Sequence, residues 1–410
     1  MAETLRATCQ CCVVGGGPAG MMAGFLLARA GADVIVLEKH ADFLRDFRGD
    51  TIHPSTLRIM QELGLLDEFL RLPHQKAYRI GVSIGDRTYA FGDFSGLPKP
   101  CNFIALMPQW DFLNFIACEA QKLPNFRLMM RTAGDQLIWE GERVVGVMAT
   151  SPEGPVEIRA DLVVAADGRG STLRAVAHLA PEDYGAPMDV FWFKMPRKES
   201  DPDQSFGRMA PGRMIVMIDR GDYWQCGWVI PKGGADAIRA RGLEAFRAAL
   251  VDALPYLGDR AGLLDGWDKI NLLTVQVNRL AKWSLPGLLC IGDAAHAMSP
   301  VGGVGVNLAV QDAVATANLL GAKLAAGTLQ DSDVAAVQAR REFPAKATQR
   351  IQLAIQNRVV TSALDPSKPF EPPLALRALD AVPFLRQIPA RVMGIGLRPE
   401  HVAPYIRERA

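Results

Sequence analysis

The sequence predicts an α/β fold that combines a helix-covered parallel sheet, an inserted and mostly antiparallel sheet, and a helical C-terminal segment. Three observations lead to this prediction. Near the N-terminus, a glycine-rich turn and an apolar helical run separate two strand-like runs, which makes a βαβ unit and therefore a parallel sheet. Residues 186–278 hold four of the seven tryptophans among extended runs and turn residues, which is typical of antiparallel strands. A long helical pattern begins at Asp331.

Length and composition describe a large, folded protein. The chain has 410 residues, of which 49% are hydrophobic and 22% charged, so it can bury more than one core. The 45 lysines and arginines nearly balance the 44 aspartates and glutamates, which gives no basic field for nucleic acid. No apolar run is long enough to span a bilayer, and the N-terminus leads directly into a strand, unlike a secretory signal. We therefore expect a cytoplasmic protein with no nucleic-acid partner and no transmembrane segment; a homodimer stays open.

The cysteine pattern favours neither disulfides nor a metal site. Seven cysteines, an odd number in a chain of this size, do not resemble a disulfide framework. Cys9, Cys11 and Cys12 lie along an extended strand, where neighbouring side chains point to opposite faces. No second cluster of cysteine and histidine completes a tetrahedral site. We expect no bound metal and interpret these cysteines as small strand residues.

Apolar periodicity places the remaining elements. Strand-like runs lie at 81–84, 144–149, 157–166, 214–218, 224–230 and 288–291. Helical patterns lie at 54–70, 110–122, 242–253, 305–326 and 331–359. The tail from Pro366 is rich in proline and mixes apolar residues with arginine, so we expect it to wrap around the body.

The first glycine-rich turn has the pattern of a dinucleotide-binding loop. Gly15, Gly17 and Gly20 satisfy G-x-G-x-x-G between a strand and a helix. The first glycine allows the tight turn, the second lets the backbone approach a pyrophosphate, and the third permits close helix packing. Glu38 ends the next strand 18 residues beyond Gly20, where a ribose-binding carboxylate is expected, and it would repel the 2′-phosphate of NADP. The pattern predicts a Rossmann-like site formed by Gly15, Gly17, Pro18, Ala19, Gly20, Glu38 and Lys39.

A second segment, residues 290–313, ends a short strand on an acid and then places a proline and glycines before a long helix. Asp293 lies at the carboxyl end of that strand and can hold a sugar-like hydroxyl, because open α/β sheets bind ligands there. Pro300 and the glycines after it leave room for a ligand to approach the backbone. Amides at the helix start can stabilise negative charge on that ligand, and they belong to Gly303, Val304, Gly305 and Val306.

Three motifs together resemble those of the class A FAD-dependent aromatic hydroxylases, the family of para-hydroxybenzoate hydroxylase. They are the glycine loop with its acid, D-G-x-x-S-x-x-R at residues 167–174, and G-D-A-A-H followed by P and G-x-G-x-N at 292–307. The resemblance implies that the chain binds FAD and uses NAD(P)H as a transient co-substrate that reduces it. It also implies that O2 then forms a flavin C4a-hydroperoxide, which hydroxylates a phenolic or polyketide-like aromatic molecule.

The resemblance also implies roles for single residues. Arg48 and Gln109 match an arginine that contacts the FAD phosphates and a glutamine that reaches the ribityl side. Asp293 would accept a hydrogen bond from a ribityl hydroxyl. Asp167 and Arg174 match the motif that is linked to holding the cofactor and to use of the nicotinamide.

The family pattern divides the chain into three regions. We expect a discontinuous FAD-binding domain, a substrate-binding domain that carries the antiparallel sheet, and a C-terminal segment. Their bounds are 1–75, 103–185 and 279–330 for the first, 76–102 and 186–278 for the second, and 331–410 for the third.

We expect the substrate pocket between the inserted sheet and the flavin, with Trp192, Trp224 and Trp228 as candidate walls. Strand alternation places Trp224 and Trp228 on one face of a strand and Gln225 on the other. The strands here read RMIVMIDRGDYWQCGWVIP, with few polar groups of the kind that hold para-hydroxybenzoate in its hydroxylase, so we expect a larger and less charged substrate. No residue is identified as a catalytic acid or base, and we expect His296 to pack behind the flavin.

Three other functions stay open. A flavin-dependent halogenase shares the FAD fold, but its W-x-W-x-I-P motif is only partly matched by residues 226–231, which begin with cysteine. A flavin-bound isomerase or cyclase would not consume NAD(P)H. A flavin-binding sensor or assembly partner would not need the amides that stabilise a reduced flavin. Net consumption of NAD(P)H therefore separates the hydroxylase from the isomerase.

Overall fold

The computed structural model describes residues 4–44, 51–202, 206–367 and 370–408. Its strands are β1 Leu5–Val14, β2 Val34–Glu38, β3 Thr51–Ile52, β4 Gln75–Ala77, β5 Arg79–Ile84, β6 Arg87–Asp93, β7 Ile104–Leu106, β8 Phe126–Met130, β9 Ala133–Glu140, β10 Arg143–Ser151, β11 Gly154–Ala165, β12 Pro181–Asp183, β13 Met188–Pro196, β14 Phe206–Ala210, β15 Arg213–Asp219, β16 Tyr223–Pro231, β17 Asn271–Leu273, β18 Asn278–Leu280, β19 Ser284–Leu285 and β20 Leu288–Cys290. Its α-helices are α1 Pro18–Arg29, α2 Pro54–Glu62, α3 Leu66–Phe69, α4 Gln109–Gln121, α5 Thr172–Val176, α6 Ala235–Ala240, α7 Leu243–Ala253, α8 Gly305–Ala325, α9 Asp331–Ile355, α10 Thr361–Ala363, α11 Leu374–Ala381, α12 Gln387–Gly394 and α13 Pro404–Arg407.

The first sheet has the strand order β19-β20-β11-β1-β2-β8, and β10 and β9 extend it beside β11. β1 pairs in parallel with both β11 and β2. Val13 belongs to the buried cluster with α1 and α8, whereas Val14 belongs to the cluster on the opposite face. Burial on both faces explains why β1 ends in the apolar run CCVV. Since parallel strands end at the same edge, the loops that follow β1, β11 and β20 meet there.

The second sheet has seven strands in the order β17-β13-β16-β15-β14-β5-β6. Its pairs are antiparallel except for β14 and β5, which run in parallel. One face packs on α7 around Phe246, in a core with Phe191, Phe193 and Trp224. The opposite face is turned toward the edge of the first sheet, and a large cavity lies between them.

The C-terminal segment packs on both parts of the molecule. α9 lies along α8, and α11 and α12 then pack against β6 of the second sheet. The chain returns to the first sheet at α13, where Nε of Arg29 donates to the carbonyl of Ile406 at 3.1 Å. The described residues of the C-terminal segment, 331–367 and 370–408, therefore link the outer edge of the second sheet to the helical layer of the first.

The α/β fold class predicted from the sequence is confirmed. Two helical patterns differ in detail: 54–70 forms α2 and α3, separated around Gly64 at φ +75°, and 331–359 ends as an α-helix at Ile355 before a π-helical turn. None of the helices in the described ranges is long and apolar enough to cross a membrane. The division into domains stays a prediction.

Candidate active site

A cavity of about 1910 Å³ begins at the carboxyl edge of the first sheet and extends beneath the second. The loops after β1, β2, β11 and β20 form one end of it. β13, β15, β16 and the C-terminal helices form the other end. Open α/β sheets bind ligands at this edge, so the cavity is the candidate active site.

The three glycines of the first loop meet different surroundings. Gly15 has φ +110°, and a Cβ there would lie 2.4 Å from the carbonyl oxygen of Ala166. A Cβ on Gly20 would lie 1.9 Å from the carbonyl oxygen of Gly15. A Cβ on Gly17 would meet nothing within 4 Å, because it would point into the open space before α1. Two glycines therefore permit the packing of the loop, and the third leaves space where a phosphate can meet the helix N-terminus.

Glu38 holds the glycine loop from the end of β2. One carboxylate oxygen accepts a hydrogen bond from the amide of Gly16 at 3.0 Å. The other accepts one from the amide of His40, also at 3.0 Å. Both Glu38 and its neighbour Lys39 line the cavity. The carboxylate thus fixes the loop and lies at the edge where a ribose was predicted.

The second motif joins two loops of the first sheet. Asp167 accepts hydrogen bonds from the Ser171 hydroxyl at 2.5 Å and from the Leu173 amide at 3.1 Å, which fixes the start of α5. The buried guanidinium of Arg174 donates to the carbonyl of Ala294 at 3.0 Å and to that of Arg169 at 2.7 Å. Arg174 thereby ties the loop after β11 to the loop that carries Asp293.

Asp293 lies in a short 3₁₀ turn directly after β20. Its carboxylate accepts a hydrogen bond from Nε of Arg169 at 2.9 Å. Gly292, at φ +59°, allows the chain to turn here, and a Cβ on it would lie 2.8 Å from Cβ of Ala19 in α1. The acid is partly exposed at the cavity wall, where a carboxylate oxygen can still accept a ligand hydroxyl.

The segment from Pro300 to the start of α8 lines the cavity and contains three glycines. Gly302 and Gly303 have φ values of +79° and +63°. A Cβ on Gly303 would lie 2.4 Å from Oγ1 of Thr51, whose hydroxyl donates to the Gly303 carbonyl at 2.9 Å. Asn307 accepts hydrogen bonds from the His53 amide at 2.8 Å and the Thr56 hydroxyl at 2.7 Å. These contacts bind the segment to β3 and α2.

His296 packs behind this segment in a buried ionic network and does not line the cavity. Its Nε2 lies 2.6 Å from the Asp312 carboxylate, which also accepts from Nε of Arg341 at 3.0 Å. Burial alone would raise the pKa of the Asp312 carboxyl, but His296 and Arg341 hold it below its ordinary value. His296 is therefore a buried structural residue, as expected from the sequence.

His53 is a cavity residue that the sequence did not indicate. It precedes α2 and is fully buried, and its Nδ1 lies 2.9 Å from the carbonyl oxygen of Met393. A carbonyl only accepts, so Nδ1 carries the proton in the neutral ring. Burial lowers the pKa of His53 to about 4. The ring is therefore uncharged near neutral pH.

Most residues predicted for the cofactor lie together on the cavity wall. Gly20 lies behind Gly15 and does not line the cavity, and Arg48 lies outside the described residues. The predicted residues that do line it are Gly15, Gly17, Pro18, Ala19, Glu38, Lys39, Gln109, Asp293, Pro300, Gly303, Val304, Gly305 and Val306.

Trp192 lines the cavity, whereas Trp224 and Trp228 do not, which corrects the expectation of three tryptophan walls. Trp224 is fully buried on the face of β16 that α7 covers. The ring of Trp228 packs on Phe246 of α7, with 5.3 Å between centroids. The opposite face of β16 meets the cavity through Gly227. Strand alternation was predicted correctly, but the cavity lies on the other side.

The C-terminal helices supply a wall that the sequence did not indicate. α11, α12 and the residues after them face the cavity across from the second sheet. α9 contacts the segment around Pro300. Their apolar side chains were interpreted only as packing of a wrapped tail. The apolar residues that these helices add to the wall include Ile351, Ile355, Leu376, Leu379, Val392 and Met393.

The residues of this site fit an FAD molecule. The cavity is about twice the upper end of ordinary ligand pockets, roughly 1,000 Å³, so it has room for FAD and a second ligand. Gly17 leaves open space at a helix N-terminus for the pyrophosphate, and Asp293 offers an acceptor for a hydroxyl. The segment from Pro300 to Val306 lines the cavity beyond them.

Comparison with known proteins agrees with this fit. A family model described as an FAD-binding domain matches residues 8–351. The chain is 31% identical to the 6-methylpretetramide 4-monooxygenase of Streptomyces rimosus over 383 residues, which cover 93% of this chain and 91% of that protein.

Two solved structures share the fold over most of the chain. The anhydrotetracycline hydroxylase OxyS from Streptomyces rimosus has a TM-score of 0.73 at 23% identity, over 96% of this chain and 77% of that one. The myxobacterial chondrochloren halogenase CndH has a TM-score of 0.74 at 20% identity, over 98% of this chain and 96% of that one. At these identities the likeness concerns the fold alone.

Proposed function

Because this chain belongs to the family of FAD-dependent aromatic hydroxylases, we propose that it transfers one oxygen atom of O2 to a fused-ring phenol of the polyketide type. It is an FAD-dependent monooxygenase, and NAD(P)H is the co-substrate typical of the family. The proposal concerns the size and chemistry of its substrate and the roles of its residues. The observation that carries it is the second half of the cavity.

This half is apolar and large. β13, β15 and β16 present Met188, Val190, Met214, Val216 and Val229 to it, and the C-terminal helices oppose them with further aliphatic side chains. Such a surface suits a flat, weakly charged ring system, because each aromatic ring gains free energy from leaving water. Small charged phenols would leave much of the cavity wet. The relative with 31% identity acts on 6-methylpretetramide, which supports a substrate of the polyketide type.

We assign the cofactor half of the cavity by the contacts that its residues offer. The open space at Gly17 and the N-terminal amides of α1 would receive the FAD pyrophosphate, and Glu38 and Asp293 would accept ribose and ribityl hydroxyls. The amides of residues 304–306 would stabilise negative charge at the edge of the flavin ring, whereas that of Gly303 already donates to the Pro300 carbonyl. The bound flavin supplies the redox chemistry, and these residues orient it and keep water away.

We assign His53 no role in proton transfer, because a pKa of about 4 makes its Nε2 a weak base near neutral pH. A phenol that gives up its proton to bulk water before it binds activates its own ring, so no residue of the cavity has to accept that proton. The residues of the second half of the cavity would therefore contribute chiefly by placing the reacting carbon of the substrate and by excluding solvent.

A panel of phenols with one to four fused rings, including 6-methylpretetramide, tests the proposal. The FAD-loaded protein is mixed with each phenol and with NADH or NADPH, and nicotinamide oxidation, hydroxylated product and H2O2 are measured. We expect product to match nicotinamide consumption best for compounds with three or four rings. Best coupling with a single-ring phenol would contradict the proposed substrate class. Conversion of a compound without nicotinamide consumption would favour the isomerase instead.

A homodimer, which the sequence left open, stays a proposal. Light scattering of the purified protein measures its mass in solution. A mass of two chains supports the dimer, and a mass of one chain rules it out under those conditions.

A further inference from the structure

A column of three buried glutamines lies on α9 and the turn after it, and one of them contacts the segment around Pro300 in the candidate active site. Gln349, Gln352 and Gln356 are 1%, 3% and 0% exposed. Their spacing of three and four residues places them on one face of the helix. Buried glutamine is uncommon unless its amide is hydrogen-bonded, so each side chain calls for a partner.

Gln352 uses both protons of its amide on the segment that crosses the cavity. Its Nε2 donates to the carbonyl of Ser299 at 2.8 Å and to the carbonyl of Val301, also at 2.8 Å. These two carbonyls lie on either side of Pro300. One side chain therefore holds the peptide plane before Pro300 and the peptide plane after Val301. The reverse amide orientation would place an oxygen against two carbonyl oxygens, so the contacts determine the orientation.

The turn held in this way sets the direction of the backbone that follows. The amide of Gly303 donates to the carbonyl of Pro300 at 3.0 Å, which closes the 3₁₀ turn at Val301–Gly303. α8 begins directly afterwards, at Gly305. A rotation of the peptides that carry the Ser299 and Val301 carbonyls would therefore also turn the amides at the start of α8.

We propose that Gln352 is a positioning residue for the flavin, which acts by clamping the carbonyls of Ser299 and Val301 on both sides of Pro300. This inference rests on the proposed function, because it assigns the segment from 300 to 306 to the flavin ring. The clamp lets the amides of that segment meet the developing negative charge without rearrangement. Loss of the clamp leaves both carbonyls without their donor and loosens the segment.

The family motifs do not include this residue, since it lies outside the three of them. Its neighbours on α9 serve other parts of the same scaffold. Gln349 donates to the carbonyls of Asn278 and Ala297, at 2.8 and 3.0 Å. The long helix of the C-terminal segment thus supports this segment from behind, and Gln352 is the one of the three glutamines that lines the cavity.

Two substitutions and one control test the inference. Gln352→Met keeps the length of the side chain but removes both donors, and Gln352→Asn keeps the amide on a shorter stem. Gln338→Met removes three hydrogen bonds of a side chain on the same helix, with the Ala281 carbonyl at 2.8 Å, the Trp283 amide at 2.9 Å and the Glu342 carboxylate at 3.5 Å. None of these three partners lines the cavity. This control measures how far the loss of another glutamine from α9 changes the same readouts.

The readouts are the dissociation constant for FAD, the midpoint potential of the bound flavin and the H2O2 formed per nicotinamide oxidised. For Gln352→Met we expect about tenfold weaker stabilisation of the reduced flavin, which is about 30 mV more negative for a two-electron couple. We expect several-fold more H2O2 and a smaller change in the same direction for Gln352→Asn. Gln338→Met should keep the wild-type potential.

An unchanged potential and an unchanged FAD affinity in folded Gln352 variants would overturn the inference. An equal shift in Gln338→Met would also overturn it, because the effect would then belong to the helix as a whole. If Gln352→Met does not fold, Gln352→Asn decides the matter by the same readouts. The potential is measured without substrate, so failure of every phenol to be hydroxylated would count against the proposed function and not against the clamp.

Discussion

The indole ring of Trp192 lies directly against Gly227, its paired residue on the neighbouring strand. A Cβ on Gly227 would come within 2.9 Å of two ring atoms of Trp192. Because Gly227 has no side chain, the indole of Trp192 can lie against the sheet at this position. This pair sets the depth of the cavity below the second sheet, because both residues line it.

Gly227→Ala should narrow the substrate half of the cavity. The added methyl must move the Trp192 ring away from the sheet and into the cavity, which costs a large ring system more contact than a small one. We expect the KM for a four-ring phenol to rise roughly tenfold, with little change for a single-ring phenol. Gly207→Ala is the control, since its methyl would lie on the same sheet 3.5 Å from the nearest atom. Equal effects of both substitutions would contradict this account of the wall.

Gly17→Ala and Gly20→Ala should separate cofactor binding from folding. The methyl at Gly17 would enter the open space before α1, so we expect FAD affinity to fall at least about tenfold while the apoprotein keeps its melting temperature. The methyl at Gly20 would collide with the Gly15 carbonyl, so we expect a loss of about 3 kcal/mol in the free energy of unfolding. FAD titration and thermal melting of both variants measure the difference. A Gly17→Ala protein that binds FAD as tightly as the wild type would place the pyrophosphate elsewhere.

His53 should make the protein sensitive to mild acid. Its pKa in the fold is about 4, below the ordinary value near 6.5, so only the unfolded chain takes up a proton between these values. Stability therefore falls as the pH falls from about 6.5 to about 4, and the full difference amounts to about 3 kcal/mol. His53→Asn keeps an N–H donor for the Met393 carbonyl but does not titrate. Urea unfolding at several pH values gives the free energy of unfolding at each pH. This free energy should depend less on pH in the variant than in the wild type, and an equal pH dependence would contradict this role of the histidine.

The cysteines should differ sharply in reactivity. Burial raises the pKa of Cys9 and of Cys290 to about 12 and that of Cys101 to about 11, which leaves little thiolate at neutral pH. Cys118 is exposed on α4. We expect a thiol reagent to label one cysteine quickly in the native protein and none in Cys118→Ser. Fast labelling of two or more thiols in the folded wild type would contradict the low reactivity expected of the other six cysteines.

The sequence was sufficient for the elements that local patterns specify. The apolar run of β1, the turn at Gly15 and the helix after it form a unit whose geometry follows from strand burial and from glycine conformations. Asp293 could be placed for a similar reason, because an acid at the end of a buried strand lies at the ligand-binding edge. These positions depend on neighbours within a few residues or on the shared edge of one sheet.

Contacts between distant segments could not be predicted in the same way. The alternation of β16 places Trp228 and Gly227 on opposite faces, but only the position of α7 decides which face is covered. His53 belongs to the site because Met393, 340 residues later, returns beside it. Gln352 likewise reaches the segment around Pro300 from a helix whose own pattern indicates nothing more than packing.

The measurement that tests the central claim most directly follows the fate of molecular oxygen. The FAD-loaded protein is supplied with NAD(P)H, the best fused-ring phenol of the panel and ¹⁸O2 in ordinary water, and the product is analysed by mass spectrometry. We predict one ¹⁸O atom in each hydroxylated product, with nicotinamide oxidised in equal amount. A product whose new oxygen comes from water, or one that forms without nicotinamide oxidation, would contradict the assignment as a monooxygenase.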